Sequence, residues 1–192
     1  MKQKKSQLIV AALFLVASAQ AQIKLPISNA FRSDVQKVVA AYPGQFAELK
    51  GEIIAKNPQT VEYASLVRPA QAQQVVITQY SANSKEIYSW SAVLLSTEDF
   101  AEAEKKYKWL YNQLKGMNVK YVVDQYTLRG DYNAPSESMK FTISQLSLFN
   151  PPMALKNLRV EAAMQFEFPE WKVSLTVFEK EREDDEQGHL ED

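Results

Sequence analysis

Carboxylates are the residues in this chain whose spacing could most readily support chemistry. Asp124, Asp131 and Glu137 bracket a polar stretch running from Arg129 to Glu137. A glycoside-type hydrolysis needs only two acids about 5–10 Å apart, one as acid and one as base or nucleophile. Acids around a loop also serve solubility alone, so this set defines the alternative reading, a carboxylate-dependent hydrolase. Nucleophilic catalysis is poorly supplied. The one histidine, His189, lies in the acidic stretch EREDDEQGHLED, whereas a Ser-His-Asp system holds its base on a rigid element beside the nucleophile. With no Cys and one His, zinc sites of the usual kind lack ligands. Asp184, Asp185 and Glu186 could attract a divalent cation weakly, but without a Gly-centred loop they read as a soluble end. No GxGxxG, GxxxxGK or GxSxG pattern occurs, and five Gly leave little for a phosphate-cradling loop. The expectation is no catalytic residue, no metal and no cofactor.

Aromatic residues are the other candidates. Trp and Tyr are favoured at interfaces because they bury much area at low entropic cost. Trp90 alternates with Tyr88, Ala92 and Leu94, a face that reads first as core. Trp109 follows Lys105, Lys106 and Lys108 and falls off its helix's apolar stripe, so it is partly exposed or rests under a loop. Trp109, Tyr88 and Trp90 form the candidate binding set. Trp171, just after Pro169, reads as closing one end of the core.

The elements that must position these residues are legible from periodicity. Ser28 can cap a helix carrying Phe31, Val35, Val38 and Tyr42 on one face, ended by Pro43-Gly44. Phe46, Leu49, Ile53 and Ile54 fit either a second short helix or an entering strand. Strands are expected over Val61–Val67, Gln74–Tyr80 and Glu86–Leu95, the last two joined by a turn at Ala82–Lys85. Ser96 and Thr97, followed by Glu98 and Asp99, announce a helix over Thr97–Leu114. Its stripe is Phe100, Ala103, Tyr107, Leu110 and Leu114, with Glu102 and Lys106 facing solvent and Gly116 as the stop. Lys120–Leu128 reads as one strand. Lys140–Phe149 reads as another, with a bulge near Ser144 where the apolar phase changes. Arg159–Phe168 alternates with Val160, Ala162, Met164, Phe166 and Phe168 on one side. Trp171, Val173, Leu175 and Val177 alternate again.

The order is therefore helix, strands, helix, strands. AELKG at Ala47–Gly51 returns as NQLKG at Asn112–Gly116, 65 positions on. The fold class is α+β: antiparallel sheet packed against one or two helices, in two layers. A tandem duplication of a helix-plus-three-strand unit, with halves at 28–96 and 97–178, is one reading. The other is that Lys-Gly is ordinary helix-ending chemistry met twice.

Both ends read as separate from that body. Lys2, Lys4 and Lys5 precede an apolar run from Leu8 to Ala17, too short for the about 20 residues of a membrane span. Small residues follow at Ala17-Ser18-Ala19 and Ala19-Gln20-Ala21, so residues 1–21 read as a cleavable secretory signal. Residues 22–178 form one domain with 17 bases and 15 acids, a balance that gives no case for nucleic acid. Residues 179–192 hold eight acids and two bases and read as an acidic disordered tail. No later stretch is apolar enough to span a membrane once the signal is removed.

The stretches NPQTVEYASLV, ITQY and IYSWSAVLLSTEDFAEAEKKYKWLYNQLKG, with the signal segment, resemble a family of small uncharacterised exported proteins of Bacteroidota over roughly Phe31–Gly116. That resemblance implies an exported, periplasmic or secreted, location and carries no activity. By fold analogy, tandem helix-plus-sheet units are similar to periplasmic inhibitor-like proteins whose sheets present a concave binding face. The expected function is non-catalytic binding in the cell envelope, with an envelope protein, a peptide or a glycan as partner and the oligomeric state left open.

Overall fold

The structure, a computed structural model, describes residues 27–81 and 86–180. The expected signal at residues 1–21, the turn expected at Ala82–Lys85, His189 and the acidic stretch after Lys180 lie outside the described residues. The chain forms helix α1 (Ile27–Ala41), strands β1 (Lys50–Lys56), β2 (Thr60–Ser65), β3 (Gln74–Ser81) and β4 (Glu86–Thr97), then helix α2 (Phe100–Leu114). Strands β5 (Asn118–Tyr121), β6 (Asp124–Arg129), β7 (Phe141–Leu148), β8 (Leu158–Glu167) and β9 (Glu170–Glu179) follow. All nine strands join one antiparallel sheet in the order β1-β2-β3-β4-β9-β8-β7-β6-β5. Four strands meander from one edge to the middle. After α2 the chain starts again at the far edge and five strands meander back. The two runs meet where β9 pairs with β4, Trp90 opposite Val177.

Alternation sorts the side chains of every strand onto two faces. On β4, Tyr88, Trp90, Ala92 and Leu94 point to the helix side and are nearly or wholly buried. On β9 the same holds for Trp171, Val173, Leu175 and Val177. Phe31, Val35, Val38 and Val39 of α1 and Ala103, Tyr107, Leu110 and Leu114 of α2 are fully buried. Phe100 meets Trp171 edge-on at 5.1 Å, and Trp90 donates its indole N–H to Ser65 Oγ at 2.9 Å, so its burial leaves no donor unpaired. A register shift between Val93 and Leu95 turns both Leu94 and Leu95 towards the core, as a bulge does. Helix α1 is tied to the end of α2 by Arg32, which donates to the Asn112 carbonyl at 3.2 Å.

The structure departs from the sequence reading at several points. Lys120–Leu128 is two strands, not one, folded back at Val122-Val123 with Tyr121 opposite Asp124. Val122 has φ 57°, a conformation a β-branched residue rarely takes, and no Gly or Asn advertised the turn. No bulge interrupts β7, whose register with β8 runs unbroken from Phe141 to Leu146. Thr142 and Ser144 simply keep the inward phase as buried polar residues. Ser144 Oγ shares a hydrogen bond with Tyr107 OH at 2.7 Å and accepts from Asn133 N at 2.9 Å. Helix α2 begins at Phe100, capped by Asp99, whose carboxylate accepts from Ala101 N at 2.8 Å and Glu102 N at 3.3 Å. Thr97 still belongs to β4. Helix α1 already includes Ser28. The Phe46–Ile54 ambiguity resolves into a single 3-10 turn at Ala47–Leu49 followed by β1. Phe168 leaves the β8 face and sits 89% exposed in the β8–β9 turn.

Gly116 stops α2 with φ +69°, a left-handed value at which Gly bears no Cβ penalty. At Gly130, where the chain leaves β6, a Cβ would lie 2.2 Å from the Gln145 carbonyl oxygen. Only Gly permits that close approach.

Candidate functional site

Helices cover one face of the sheet, and no described element covers the other. The alternate residues of the central strands line that bare face. Register aligns them in rows: Thr78, Ser89, Phe178 and Arg159 in one, Val76, Ser91, Thr176 and Glu161 in the next. A third row holds Gln74, Val93, Ser174 and Ala163. Most of the middle positions are Ser, Thr or Ala. The flanking Tyr80, Ile87 and Phe178 stand taller, so the floor sinks between them. Thr78 and Ser89 are each only 9% exposed and Ala163 6%, and the Tyr80 side chain reaches over Ser89.

On this face lies an open groove of about 590 Å³ lined by Tyr80, Ile87, Ser89, Glu161, Thr176 and Phe178, among others. That volume falls within the roughly 300–1,000 Å³ of small-ligand sites. Tyr80 leans from β3 across β4, and its hydroxyl accepts from Ser89 Oγ at a long 3.4 Å. Burial raises the Glu161 carboxyl above its ordinary value of 4.5, while a hydrogen bond from Gln145 acts in the opposite direction. At the end of β4 the groove adjoins a second hollow of about 210 Å³, which includes Tyr42, Phe46, Glu86, Tyr88 and Glu179. Tyr88 and Glu179 line both.

The tyrosines of that hollow are neutral phenols at any ordinary pH. Burial pushes Tyr42 up to about 12, with Glu179 adding to the rise and Arg159 opposing it. Burial also pushes Tyr88 up to about 12, helped by its hydrogen bond to Glu86, which accepts from the hydroxyl at 2.8 Å. The Lys50 ammonium lies 3.7 Å from the centre of the Tyr88 ring. Burial lowers the Lys50 pKa and the nearby Glu86 carboxylate acts to raise it.

The three aromatic candidates from the sequence fare differently. Trp90 is 0% exposed, so its side chain is core and offers nothing to a partner. Tyr88 is inward and mostly buried, yet its edge reaches both hollows at the strand end. Trp109 is half-buried, packed edge-on against Phe31 at 5.0 Å, with the Lys106 ammonium 4.3 Å from its ring centre. It lines a separate shallow opening with Gln71, Leu95, Glu102, Lys105 and Lys106. Lys106, read as a solvent-facing residue, is instead half-buried and donates to Gln71 Oε1. Trp109 and Tyr88 are thus not brought to one site.

Asp124 sits at the β5–β6 turn, and Asp131 and Glu137 lie in the 130–140 loop, all three exposed. Neither of the two hollows at the β4 end includes any of them. Among the described residues no group of three or more His, Cys, Asp or Glu is placed to hold a metal ion. No described helix is long and apolar enough to cross a membrane.

Sequence reasoning missed Tyr80, Ile87, Ser89, Glu161, Thr176 and Phe178 as a set. A signal for them exists. Once Trp90 and Trp171 fix the inward phase, Ile87, Ser89 and Ser91 and Ser174, Thr176 and Phe178 must share the opposite face. What periodicity cannot supply is that β9 returns to lie beside β4.

Compared with protein-family models, with curated proteins and with solved structures, the chain matches none.

Proposed function

We propose that this chain is an exported cell-envelope protein that acts by binding rather than catalysis, with the bare face of the sheet as its binding face. One observation carries the reading: a groove of about 590 Å³, with Ser89 only 9% exposed in its floor, on a face that no described helix packs against. A sheet face normally solvates polar side chains outright. Here the taller Tyr80, Ile87 and Phe178 wall in a floor of short ones, which is the concave shape a ligand site needs. Export rests on the basic, apolar and small-residue order of residues 1–21. The repeated chain order, a helix followed by an antiparallel meander and then the same again, supports reading the body as two related units.

The test uses the chain from residue 22 onward as bait in envelope extract. Capture of a partner should be lost in Tyr80→Ala and Phe178→Ala and kept in Trp109→Ala. Capture that ignores both groove variants but fails in Trp109→Ala would move the binding face to the helix side. Fractionation of cells expressing the full chain checks export, and protein retained uncleaved in the cytoplasm would defeat that part.

A further inference from the structure

This inference rests on the bare face being the binding face, and it concerns what that face holds. An added peptide strand is disfavoured at both sheet edges. Strand β1 carries two register shifts within seven residues and a Lys at each end, both devices that blunt an edge. At the other edge β5 is four residues long, and Gln36 of α1 already donates to its Asn118 carbonyl at 2.6 Å. On the bare face itself the central backbone groups are committed to the ladders, so recognition there must come from side chains.

Those side chains are of two kinds. Ser89, Ser91, Ser174, Thr176, Gln145 and Glu161 supply hydroxyl, amide and carboxyl groups across adjacent rows. Tyr80 and Phe178 supply aromatic faces beside them, Tyr80 being 42% exposed. Charge adds a third constraint. Glu86, Glu161, Glu179 and Lys180 line the joined hollows, while Lys50 lies over the Tyr88 ring and Arg159 acts on Tyr42 from outside the lining, so that three cations stand against three carboxylates. A balanced site has no net field with which to draw in an ion. The complementary ligand is uncharged, carries many hydroxyls, and has apolar C–H faces that can lie on an aromatic ring. A pyranose ring has these properties. We infer that the groove binds a neutral oligosaccharide.

Isothermal titration of the chain from residue 22 with maltotetraose, cellotetraose and chitotetraose tests this. At least one should bind, with the same affinity at low and high salt, because no net charge is neutralised. Tyr80→Ala and Phe178→Ala should each weaken it about five- to tenfold or more, and Tyr80→Phe should retain most of it. Thr176→Trp, which fills the floor without touching the core, should abolish binding in a protein with an unchanged melting midpoint. If none of the three sugars binds while capture from envelope extract still depends on Tyr80 and Phe178, the sugar is wrong and the binding face stands. Sugar binding that survives Thr176→Trp, or that falls steeply with salt, also overturns the inference. If neither sugar binding nor capture responds to the groove variants, the binding face fails as well.

Discussion

Along β4, Trp90 is wholly buried while Ser89 and Ser91, its immediate neighbours, look out from the other side of the sheet. On β9 the pattern repeats, Val173, Leu175 and Val177 against Ser174 and Thr176. The two faces thus use the same strands and the same ladders, yet differ in every property that decides function. The helix side is filled by large apolar side chains; of its buried polar groups Ser144 is paired with Tyr107 and Asn133, whereas the Thr142 hydroxyl has no hydrogen-bond partner. The centre of the bare side holds several short hydroxyl-bearing residues, Ser89, Ser91, Ser174 and Thr176, with Phe178 and Tyr80 beside them. A face meant simply to meet water would carry long charged side chains, which cost least there. Short residues leave a hollow instead. If the bare face is the binding face proposed above, stability and recognition fall to alternate positions of one sequence, and substitutions should separate them.

The largest expected effect is on the helix side. Leu110→Ala removes a fully buried side chain of α2 and should cost about 2–5 kcal/mol through lost transfer energy and the cavity left behind. Phe178→Ala, on the half-exposed flank of the groove, should cost under about 1 kcal/mol, because solvent takes the vacated space. Trp109→Ala should fall between, at about 1–2 kcal/mol, since its edge contact with Phe31 is lost. Denaturant midpoints measure all three. If Phe178→Ala destabilises as much as Leu110→Ala, the bare face is a second core and the contrast collapses.

A smaller effect should follow from the buried polar pair. Ser144→Ala leaves both Tyr107 OH and Asn133 N without their partner and should cost about 1–3 kcal/mol. Tyr107→Phe removes one member and should cost about 1 kcal/mol. The double variant should cost less than the sum, because the two groups act on one hydrogen bond. Strict additivity in urea unfolding would mean that the pair is not formed in solution.

The smallest effect sharpens the comparison from the other face. Glu161 is held above its ordinary 4.5 by burial, so the folded state binds a proton more tightly than the unfolded one. Its ionised form is disfavoured in the fold, and stability falls as pH rises from 4.5 through the folded-state value. Glu161→Gln should therefore raise the melting midpoint at neutral pH by about one or two degrees, corresponding to under about 0.5 kcal/mol after solvent screening. The gain should vanish below the ordinary carboxylate range. A fall at neutral pH would show that the carboxylate is paired rather than penalised.

Local periodicity alone marks out both helices, most of the strands and the inward residues of β4, β8 and β9, because burial on one side leaves a 3.6- or 2-residue signature that needs no knowledge of partners. It also favours Trp90 as core over Trp90 as contact. Three features escape it for physical reasons. The Val122-Val123 turn has no Gly, Asn or Pro, since its geometry is imposed by the pairing of β5 with β6 and the packing around them. The inward Ser144 looks like a change of phase, because the Tyr107 hydroxyl that satisfies it lies 37 residues away in sequence. The groove depends most on distance: Tyr80, Ser89, Glu161 and Phe178 belong to four strands, and only the long return of β5–β9 from the far edge sets β9 against β4 and β8 beyond it. Residue types and spacing determined which side of each strand would be wet. Tertiary pairing decided which wet sides became neighbours, because a ladder between distant strands is selected by the packing of the whole sheet and leaves no mark in any one strand.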